Sequence, residues 1–291
     1  MSALRTRGLT KHFGAVRAVH HLDLDVHPGE VFGFLGPNGA GKTTTIRMLL
    51  DFLRPTGGSV EVLGGQPRDP AVRRRVGFLP ADLHVDPRYR GGELFAFLTA
   101  LRGGSDPPLL RPLLDRFGLD PTRPVGELST GNRRKVGIVQ AFMHRPDLVV
   151  LDEPTSGLDP ILQHEFLELV REQVAEGMTV FLSSHDLPEV ERVAHRVGIL
   201  RQGELVTVAS VADLRRRARQ RIDLFVSGAA DGTVFDGVPG VVEVDIRDGL
   251  VRLVVEGTMD AALKAAASLT VERIVTHEAD LAEVFLEYYR P

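Results

Sequence analysis

The sequence predicts an α/β fold: an antiparallel β segment, a parallel α/β core with a helical insertion, and a small α+β unit after it. Two observations carry this prediction. A continuous apolar run at 31–35 breaks into a glycine-rich loop and then into a helix-compatible stretch at 42–52. Apolar strands at 147–151 and 178–183 bracket an amphipathic helix at 161–176, an alternation that is typical of a parallel sheet.

The composition is that of a globular protein that lacks the excess of positive charge typical of nucleic-acid-binding proteins. The chain has 291 residues, of which 43% are hydrophobic and 25% charged, enough to build two domains. Its formal net charge is −4, so no overall positive field draws it to phosphate backbones, and we expect no nucleic acid among its partners. The absence of cysteine excludes disulfides and thiolate zinc sites and suits a reducing cytoplasm.

No part of the sequence resembles a segment that enters a membrane. The first residues lack the apolar core of a signal peptide, and no apolar run approaches the ~20 residues that span a bilayer. We therefore expect the chain to serve any membrane from outside the bilayer.

Two segments surround the parallel core in the predicted fold. Apolar and polar residues alternate over 4–9 and 18–26, and Pro28-Gly29 then turns the chain, which predicts an antiparallel sheet. Residues from about 83 to 145 contain prolines, glycines and amphipathic stretches such as 93–101. This pattern predicts a helical subdomain inserted into the core.

A second domain is predicted where the pattern changes to short strands. We place the boundary near residue 220, after an arginine-rich helical stretch at 211–221, which gives domains at 1–220 and 221–291. A turn at Arg247-Asp248-Gly249 predicts a hairpin. The predicted elements of the second domain are strands at 222–226, 241–246, 251–255 and 271–276 and helices at 259–268 and 280–289.

The strongest chemical signal is the glycine-rich loop between the first buried strand and its helix. It matches the pattern G-x-x-x-x-G-K-[ST], which binds nucleotide phosphates when it lies between a strand and a helix. Backbone N–H groups and the helix N-terminus favour phosphate, Lys42 is expected to reach the β- and γ-phosphates, and Thr43 to ligate Mg²⁺. The predicted binding residues are Gly36, Pro37, Asn38, Gly39, Ala40, Gly41, Lys42, Thr43 and Thr44.

A second apolar strand ends in two adjacent carboxylates, Asp152 and Glu153. Adjacent strand residues point to opposite sides, so the two acids are expected to have different roles. Asp152 would hold the Mg²⁺ shell through water, and Glu153 would orient and deprotonate the attacking water. Such a pair is usually surface charge, and only the upstream phosphate loop favours the catalytic interpretation.

The order and spacing of these motifs resemble the nucleotide-binding domain of ABC transporters, a P-loop NTPase fold, over essentially residues 1–215. Leu128-Ser-Thr-Gly-Asn132 stands where that family has Leu-Ser-Gly-Gly-Gln, at the start of a helix that we expect to run through His144. By this resemblance Ser129, Gly131 and the helix N-terminus face the γ-phosphate of ATP held by a second subunit. Thr for Gly and Asn for Gln depart from the family pattern.

Three further positions match the same family. The segment Ser156-Gly-Leu-Asp159 resembles its dimer-contact loop, and His185 resembles its switch histidine, which would hydrogen-bond the γ-phosphate. By resemblance Lys42, Glu153 and His185 form the catalytic set. Phe13 occupies the place of the aromatic residue that stacks on adenine, with a packed strand-end phenylalanine as the alternative.

One position departs from the family in a way that matters for Mg²⁺. The family usually has Gln, sometimes Glu, after a Gly-aromatic-x-Pro segment, where it senses the metal and couples to the permease. Here Gly77-Phe-Leu-Pro80 is followed by Ala81 and then by Asp82. Alanine has no side-chain group that could contact Mg²⁺. Either Asp82 takes the place of the family's Gln through a small shift in the loop, or a water molecule does, and we favour Asp82.

The resemblance implies a subunit that binds and hydrolyses ATP with Mg²⁺ and works as a dimer, most simply a homodimer. It implies an integral-membrane permease as partner, contacted near residues 81–97, and a cytoplasmic location at the inner face of the cell membrane. The C-terminal unit, which ends with Leu281-Ala-Glu-Val-Phe-Leu-Glu287, resembles the accessory domain of ABC-2 type drug and antibiotic exporters of the daunorubicin-resistance-like group. This resemblance favours export.

Two other classes of function fit part of the pattern. A soluble ABC-type ATPase of DNA repair would insert a long coiled coil between the phosphate loop and the signature, but Lys42 and Ser129 are only 87 residues apart. A translation ATPase would carry two sets of motifs, whereas this chain has one. A regulator that binds nucleotide without hydrolysis would be expected to lack Glu153 or His185, and both are present.

Overall fold

The computed structural model describes residues 2–217, 219–228 and 232–277. The chain divides into two compact units, Met1–Val208 and the residues from Ala209 onward. This division lies before the boundary predicted near residue 220, so the arginine-rich helix belongs to the second unit. The helix predicted at 280–289 lies outside the described residues.

The first unit contains the antiparallel segment, the parallel core and the inserted helices, which confirms the predicted fold class. Its elements in chain order are β1 (Leu4–Phe13), β2 (Val16–Val26), β3 (Val31–Leu35), α1 (Lys42–Leu49), β4 (Gly57–Val62), α2 (Pro70–Arg74), β5 (Val76–Leu79), α3 (Gly91–Leu101), α4 (Leu110–Phe117), α5 (Thr130–Phe142), β6 (Leu148–Asp152), α6 (Pro160–Ala175), β7 (Thr179–Ser184), α7 (Leu187–Val193), β8 (Arg196–Arg201) and β9 (Glu204–Ser210).

Two sheets organise these elements. The strands β2, β1 and β4 form an antiparallel sheet in that order. The larger sheet has the order β5-β6-β7-β3-β8-β9, in which β3 pairs in parallel with β7 and β8, and β6 pairs in parallel with β5 and β7. Because parallel strands end at the same edge of a sheet, the segments that follow β3, β5, β6 and β7 meet there.

The centre of the larger sheet is covered on both faces. Every residue of β3, β6 and β7 is buried, which explains why these strands are continuous apolar runs rather than alternating ones. The ring of Phe181 lies 5.9 Å from that of Phe32 and 5.2 Å from that of Phe34, measured between centroids. This packing fixes the strands whose ends carry the predicted site residues.

Helix α5 packs unusually close to β5, because glycine occupies the contact on both elements. A Cβ on Gly77 of β5 would lie 2.1 Å from the carbonyl oxygen of Ala141, and a Cβ on Gly137 of α5 would lie 2.7 Å from Cδ1 of Leu79. The first of these clashes is with rigid backbone. The two glycines therefore let α5 approach the sheet edge where β5 and β6 end.

The second unit is a sheet with a helix on its apolar face. Its antiparallel strands have the order β11-β12-β10-β13, and the buried residues include Ile222, Leu224, Val251 and Leu253. Its elements are α8 (Val211–Arg217), β10 (Arg219–Val226), β11 (Val241–Arg247), β12 (Leu250–Glu256), α9 (Asp260–Ala266) and β13 (Val271–His277). In neither unit does a described helix combine the length and apolar character needed to span a bilayer.

Candidate nucleotide-binding site

The loop after β3 takes a path that only glycine permits at two points. A Cβ on Gly36 would lie 2.6 Å from the carbonyl oxygen of Leu200, and a Cβ on Gly41 would lie 2.4 Å from that of Ala18. Gly41 also has a φ of 107°, a conformation that residues with a side chain rarely adopt. Helix α1 begins at the next residue, Lys42, so the unpaired N–H groups of its first turn lie directly after this loop.

The loop lines an open pocket of about 490 Å³, a volume in the range of small-molecule sites. Seven of the nine predicted loop residues line it, together with Ala81 and Glu153. The remaining lining residues belong to none of the predicted motifs. They are Val16, Arg17, Ala18 and Gln202.

Lys42 is buried at the base of this pocket, with 5% of its surface exposed. Its Nζ donates to the carbonyl oxygen of Gly36 at 2.6 Å and lies 3.3 Å from Oε1 of Glu153. A buried ammonium group requires such partners. The predicted phosphate-binding cation and the predicted general base are therefore neighbours in one chain.

Asp152 is buried and accepts two hydrogen bonds from hydroxyl groups. Thr43 Oγ1 donates to its Oδ2 at 3.0 Å, and Ser183 Oγ donates to its Oδ1 at 2.6 Å. Thr43 and Asp152, two of the three residues proposed for Mg²⁺, thus lie together. They offer hydroxyl and carboxylate oxygens, the ligand type that Mg²⁺ prefers, usually completed by water and phosphate oxygens. The residues fit such a site. Among the described residues there is no group of three or more histidine, aspartate or glutamate side chains that could hold a metal ion.

Glu153 has different partners from its neighbour Asp152. Its Oε2 lies 2.8 Å from Nδ1 of His185, while its Oε1 faces Lys42. Its backbone φ is +48°, in the left-handed region that residues other than glycine seldom occupy. The structure therefore brings Lys42, Glu153 and His185 together.

Two buried charged residues beside the site were missed by the sequence analysis. Arg134 of α5 donates to backbone carbonyls in the loop after β5 and at the end of β6, including those of Ala81 and Asp152. Glu189 of α7 accepts a hydrogen bond from Ser184 Oγ at 2.8 Å, and burial raises the pKa of its carboxyl to about 7. No sequence signal marks them, because each acts on backbone or on an unremarkable serine.

The predicted signature residues lie outside this pocket. Ser129 caps α5 by accepting a hydrogen bond from the backbone N–H of Asn132 at 3.3 Å. A Cβ built on Gly131 would lie 3.9 Å from the carbonyl oxygen of Gly157, which belongs to the predicted dimer-contact loop. Neither Ser129 nor Gly131 lines the pocket of its own chain.

Two other predicted residues also lie off the pocket lining. Phe13 ends β1 with half of its surface exposed, and Lys11 Nζ lies 5.2 Å from its ring centroid. Asp82 is exposed, and Ala81 rather than Asp82 lines the pocket. The adenine-stacking role of Phe13 and the metal role of Asp82 stay predictions.

Comparisons with known proteins agree with this geometry. The ABC transporter family matches residues 19–156. A bacitracin transport ATP-binding protein, BcrA of Bacillus licheniformis, is 35% identical over 229 residues, which cover 77% of this chain and 75% of that protein. The daunorubicin/doxorubicin resistance ATP-binding protein DrrA of Streptomyces peucetius is 38% identical over 220 residues, 73% of this chain and 67% of that protein.

Solved structures show the same fold. The ATP-binding subunit of an ABC transporter matches with a TM-score of 0.69 and 30% identity, covering 74% of this chain and 92% of that one. A dimeric ATP-binding cassette bound to ADP and Pi matches with a TM-score of 0.64 and 21% identity, covering 72% and 98% of the two chains, and this likeness concerns the fold alone.

Proposed function

We propose, since this chain belongs to the ABC transporter family as an ATP-binding subunit, that it hydrolyses ATP to drive export through a separate membrane permease. The observation that carries the proposal is the contact of Glu153 with both Lys42 and His185 at the edge where the parallel strands end. A cation, a carboxylate and an imidazole meet there beside a phosphate-binding loop. This is what phosphoryl transfer to water requires.

In the proposed reaction the loop N–H groups and Lys42 bind the β- and γ-phosphates. Glu153 accepts a proton from water as the water oxygen forms a bond to the γ-phosphorus, and the bond from that phosphorus to the bridging oxygen breaks, giving ADP and phosphate. His185, bonded to Glu153, orients that carboxylate and the γ-phosphate. Thr43 and Asp152 would hold Mg²⁺, which neutralises phosphate charge when bound.

We propose that two copies of the chain complete each site. The pocket holds the phosphate loop and Glu153 but not Ser129 or Gly131, although the N-terminus of α5 suits an anion. A second copy would present these residues to the γ-phosphate across the interface.

An apolar groove supports the proposed permease contact. The groove, about 360 Å³, lies between α1, β5 and α3 and is lined by residues such as Leu49, Phe78 and Leu94. Phe52 on its rim is 63% exposed, and exposed apolar surface of this kind marks interaction sites. Pro80 lines the groove and the adjacent Ala81 lines the nucleotide pocket, so one loop connects the two. We assign the groove to a permease segment that faces the cytoplasm.

The direction of transport is proposed from the relatives. BcrA is named for bacitracin transport and DrrA for daunorubicin/doxorubicin resistance, and a further relative is a Nod factor export ATP-binding protein of Burkholderia pseudomallei, 39% identical over 204 residues, 67% of each chain. These names support export by a subunit at the inner face of the cell membrane.

Replacing Glu153 with Gln tests the chemistry. The variant keeps shape and the hydrogen bond to His185 but loses the base, so kcat for ATP hydrolysis should fall by about 10²-fold or more while ATP binding persists. Steady-state kinetics and equilibrium binding measure the two quantities. Glu61→Gln, on the exposed face of β4, is the matched control and should behave as wild type. Unchanged turnover in Glu153→Gln would remove Glu153 from the reaction.

Export requires its own test. Co-expression with a candidate ABC-2 type permease should yield a complex that copurifies and whose ATPase activity depends on Lys42. A chain that hydrolyses ATP but never associates with a permease would contradict the transport function and leave the ATPase assignment standing.

A further inference from the structure

Arg134 has all of its hydrogen-bonding capacity satisfied by backbone at the catalytic edge. It lies in the first half of α5 and is 5% exposed. Its Nε donates to the carbonyl oxygen of Pro154 at 2.8 Å, and its Nη1 donates to those of Pro80 and Ala81 at 2.6 and 2.7 Å. Its Nη2 donates to that of Asp152 at 3.1 Å and also to that of Glu153. A guanidinium has five N–H donors, and here five carbonyl groups accept from it.

These five carbonyls belong to two loops that are far apart in sequence. Pro80 and Ala81 follow β5, whereas Asp152, Glu153 and Pro154 end β6 or follow it. The fork of one guanidinium bridges them, and no other kind of side chain has donors in that geometry. The loops are thus tied to each other and to α5, the helix whose N-terminus carries the signature residues.

The close approach of α5 to the sheet makes this bridge possible. Without a Cβ on Gly77 and Gly137, α5 approaches the sheet directly at β5, and Arg134 lies one helical turn before Gly137. A larger residue at Gly77 would meet the backbone of Ala141 and push the helix outward. The bridging residue and the two glycines therefore form one arrangement.

The charge of Arg134 is surrounded by the acids of the site. Burial lowers the pKa of its guanidinium. Nearby carboxylates oppose that effect, and Asp152 has the largest influence among them, followed by Asp82, Glu189 and Glu153. A buried cation that bonds only to carbonyl oxygens gains its remaining stabilisation from such neighbouring acids. Arg134 therefore contributes positive potential where the reaction uses negative side chains.

The segment that Arg134 holds includes a residue in an unfavourable backbone conformation. Glu153 has a φ of +48° and is not glycine, so surrounding contacts must maintain it. Arg134 binds the carbonyls of Glu153 itself and of the residues on both sides. This backbone conformation directs the Glu153 side chain between Lys42 and His185.

We infer that Arg134 is the positioning residue that holds Glu153 in its reactive conformation and couples it to the Ala81 loop, which borders both the nucleotide pocket and the apolar groove. Alanine offers no polar side chain, so the backbone carbonyls of Pro80 and Ala81 are the groups through which Arg134 ties this loop. Displacement of the loop then reaches Glu153 through a single planar guanidinium group. The inference rests on the proposed function, because it assigns Arg134 to the reaction of Glu153.

The test compares Arg134→Lys with wild type by steady-state ATP hydrolysis of the full chain. Lysine keeps the charge but cannot span both loops, so kcat should fall about tenfold to a hundredfold, as expected for a misplaced reactive group. KM for ATP should change by less than about threefold, since Lys42 and Thr43 are untouched. Arg145→Lys, an exposed arginine paired with Glu176, is the matched control and should retain wild-type kinetics.

A double-variant cycle separates positioning from general loss of structure. In a Glu153→Gln background Arg134→Lys should have little further effect on kcat, because the group that it positions is already disabled. Arg134→Gln, which buries no unpaired charge, gives the same comparison if the lysine variant melts early. A wild-type kcat in either variant, additive losses in the cycle, or collapse of the fold in both variants would overturn the inference.

Failure of the proposed function gives a different result. If the wild-type chain does not hydrolyse ATP, or if Glu153→Gln is fully active, the proposed reaction is wrong whatever Arg134 does. If wild type and Glu153→Gln behave as expected and Arg134→Lys keeps its kcat, only the positioning role of Arg134 is wrong.

Discussion

Glu189 is a carboxyl whose protonation depends strongly on the fold around it. It is 6% exposed, and its Oε1 has no hydrogen-bond partner in the part of the chain that the structure describes. Burial raises the pKa of its carboxyl from 4.5 to about 7, against the lowering effect of hydrogen bonds from Ser184 and Thr155. Since Ser184 directly precedes His185, this carboxyl supports the segment that carries the imidazole.

Replacing Glu189 with Gln should change how stability depends on pH. The folded wild type binds the carboxyl proton more tightly than the unfolded chain, so its free energy of unfolding falls as pH rises from about 4.5 to about 7 and stays low above. A neutral amide avoids this loss, which is on the order of 3 kcal/mol. Thermal melts should therefore show Glu189→Gln several degrees more stable than wild type at pH 8 and little different at pH 4.5.

The comparison has a direct control in Glu176→Gln, because Glu176 is an exposed carboxylate paired with Arg145. That variant should show no comparable difference between pH 4.5 and pH 8. An equal gain for Glu189→Gln at both pH values would mean that packing, rather than ionisation, accounts for it.

At the scale of elements, the contact between α5 and β5 distinguishes two glycines that look equivalent in sequence. A Cβ on Gly77 meets the backbone oxygen of Ala141, which cannot move alone, whereas a Cβ on Gly137 meets the end of the Leu79 side chain. Gly77→Ala should cost about 2 kcal/mol or more, and Gly137→Ala should be near neutral because alanine favours a helix by about 1 kcal/mol.

Chemical denaturation of the two variants measures this difference. Gly118→Ala, at the C-terminal end of α4, where φ is +54° and no atom crowds the site, isolates the cost of backbone conformation alone. Equal destabilisation by Gly77→Ala and Gly137→Ala would contradict the account of close packing.

The elements that carry motifs could be predicted from sequence, and the reason is physical. Strands β3, β6 and β7 are buried on both faces, so their continuous apolar runs are visible without any knowledge of partners. The strands β8 and β9 were not anticipated. The residues of β9 alternate mainly between exposed and half-buried and carry no motif. Their strand conformation depends on pairing with β8 at the edge of the sheet.

The same distinction holds within the site. Lys42, Asp152 and Glu153 were predicted because their motifs follow buried apolar strands, and His185 was predicted from its resemblance to the switch histidine of the family. Arg134 could not be predicted from the sequence, because its partners are main-chain carbonyls. A residue of any type would supply such carbonyls. Arg17 and Gln202 line the pocket only because of the way the β1–β2 hairpin and the turn after β8 lie beside the loop.

At the scale of the whole molecule, the proposed dimer predicts that two inactive variants can restore each other. Lys42→Ala disables the phosphate loop, and Ser129→Arg blocks the signature that would serve the partner's nucleotide. In a mixed dimer, one site carries both defects. The other site combines the intact phosphate loop of the Ser129→Arg chain with the intact signature of the Lys42→Ala chain. Random mixing in equal amounts should recover about a quarter of wild-type ATPase activity.

A second mixture provides the control, because the structure places Lys42 and Glu153 3.3 Å apart in one chain. Lys42→Ala mixed with Glu153→Gln leaves a defect in both sites of the mixed dimer, so this pair should stay inactive. Recovery in the control pair, or none in the first pair when mixed dimers are present, would contradict a site shared between chains. The two mixtures together distinguish a composite site from one that a single chain completes.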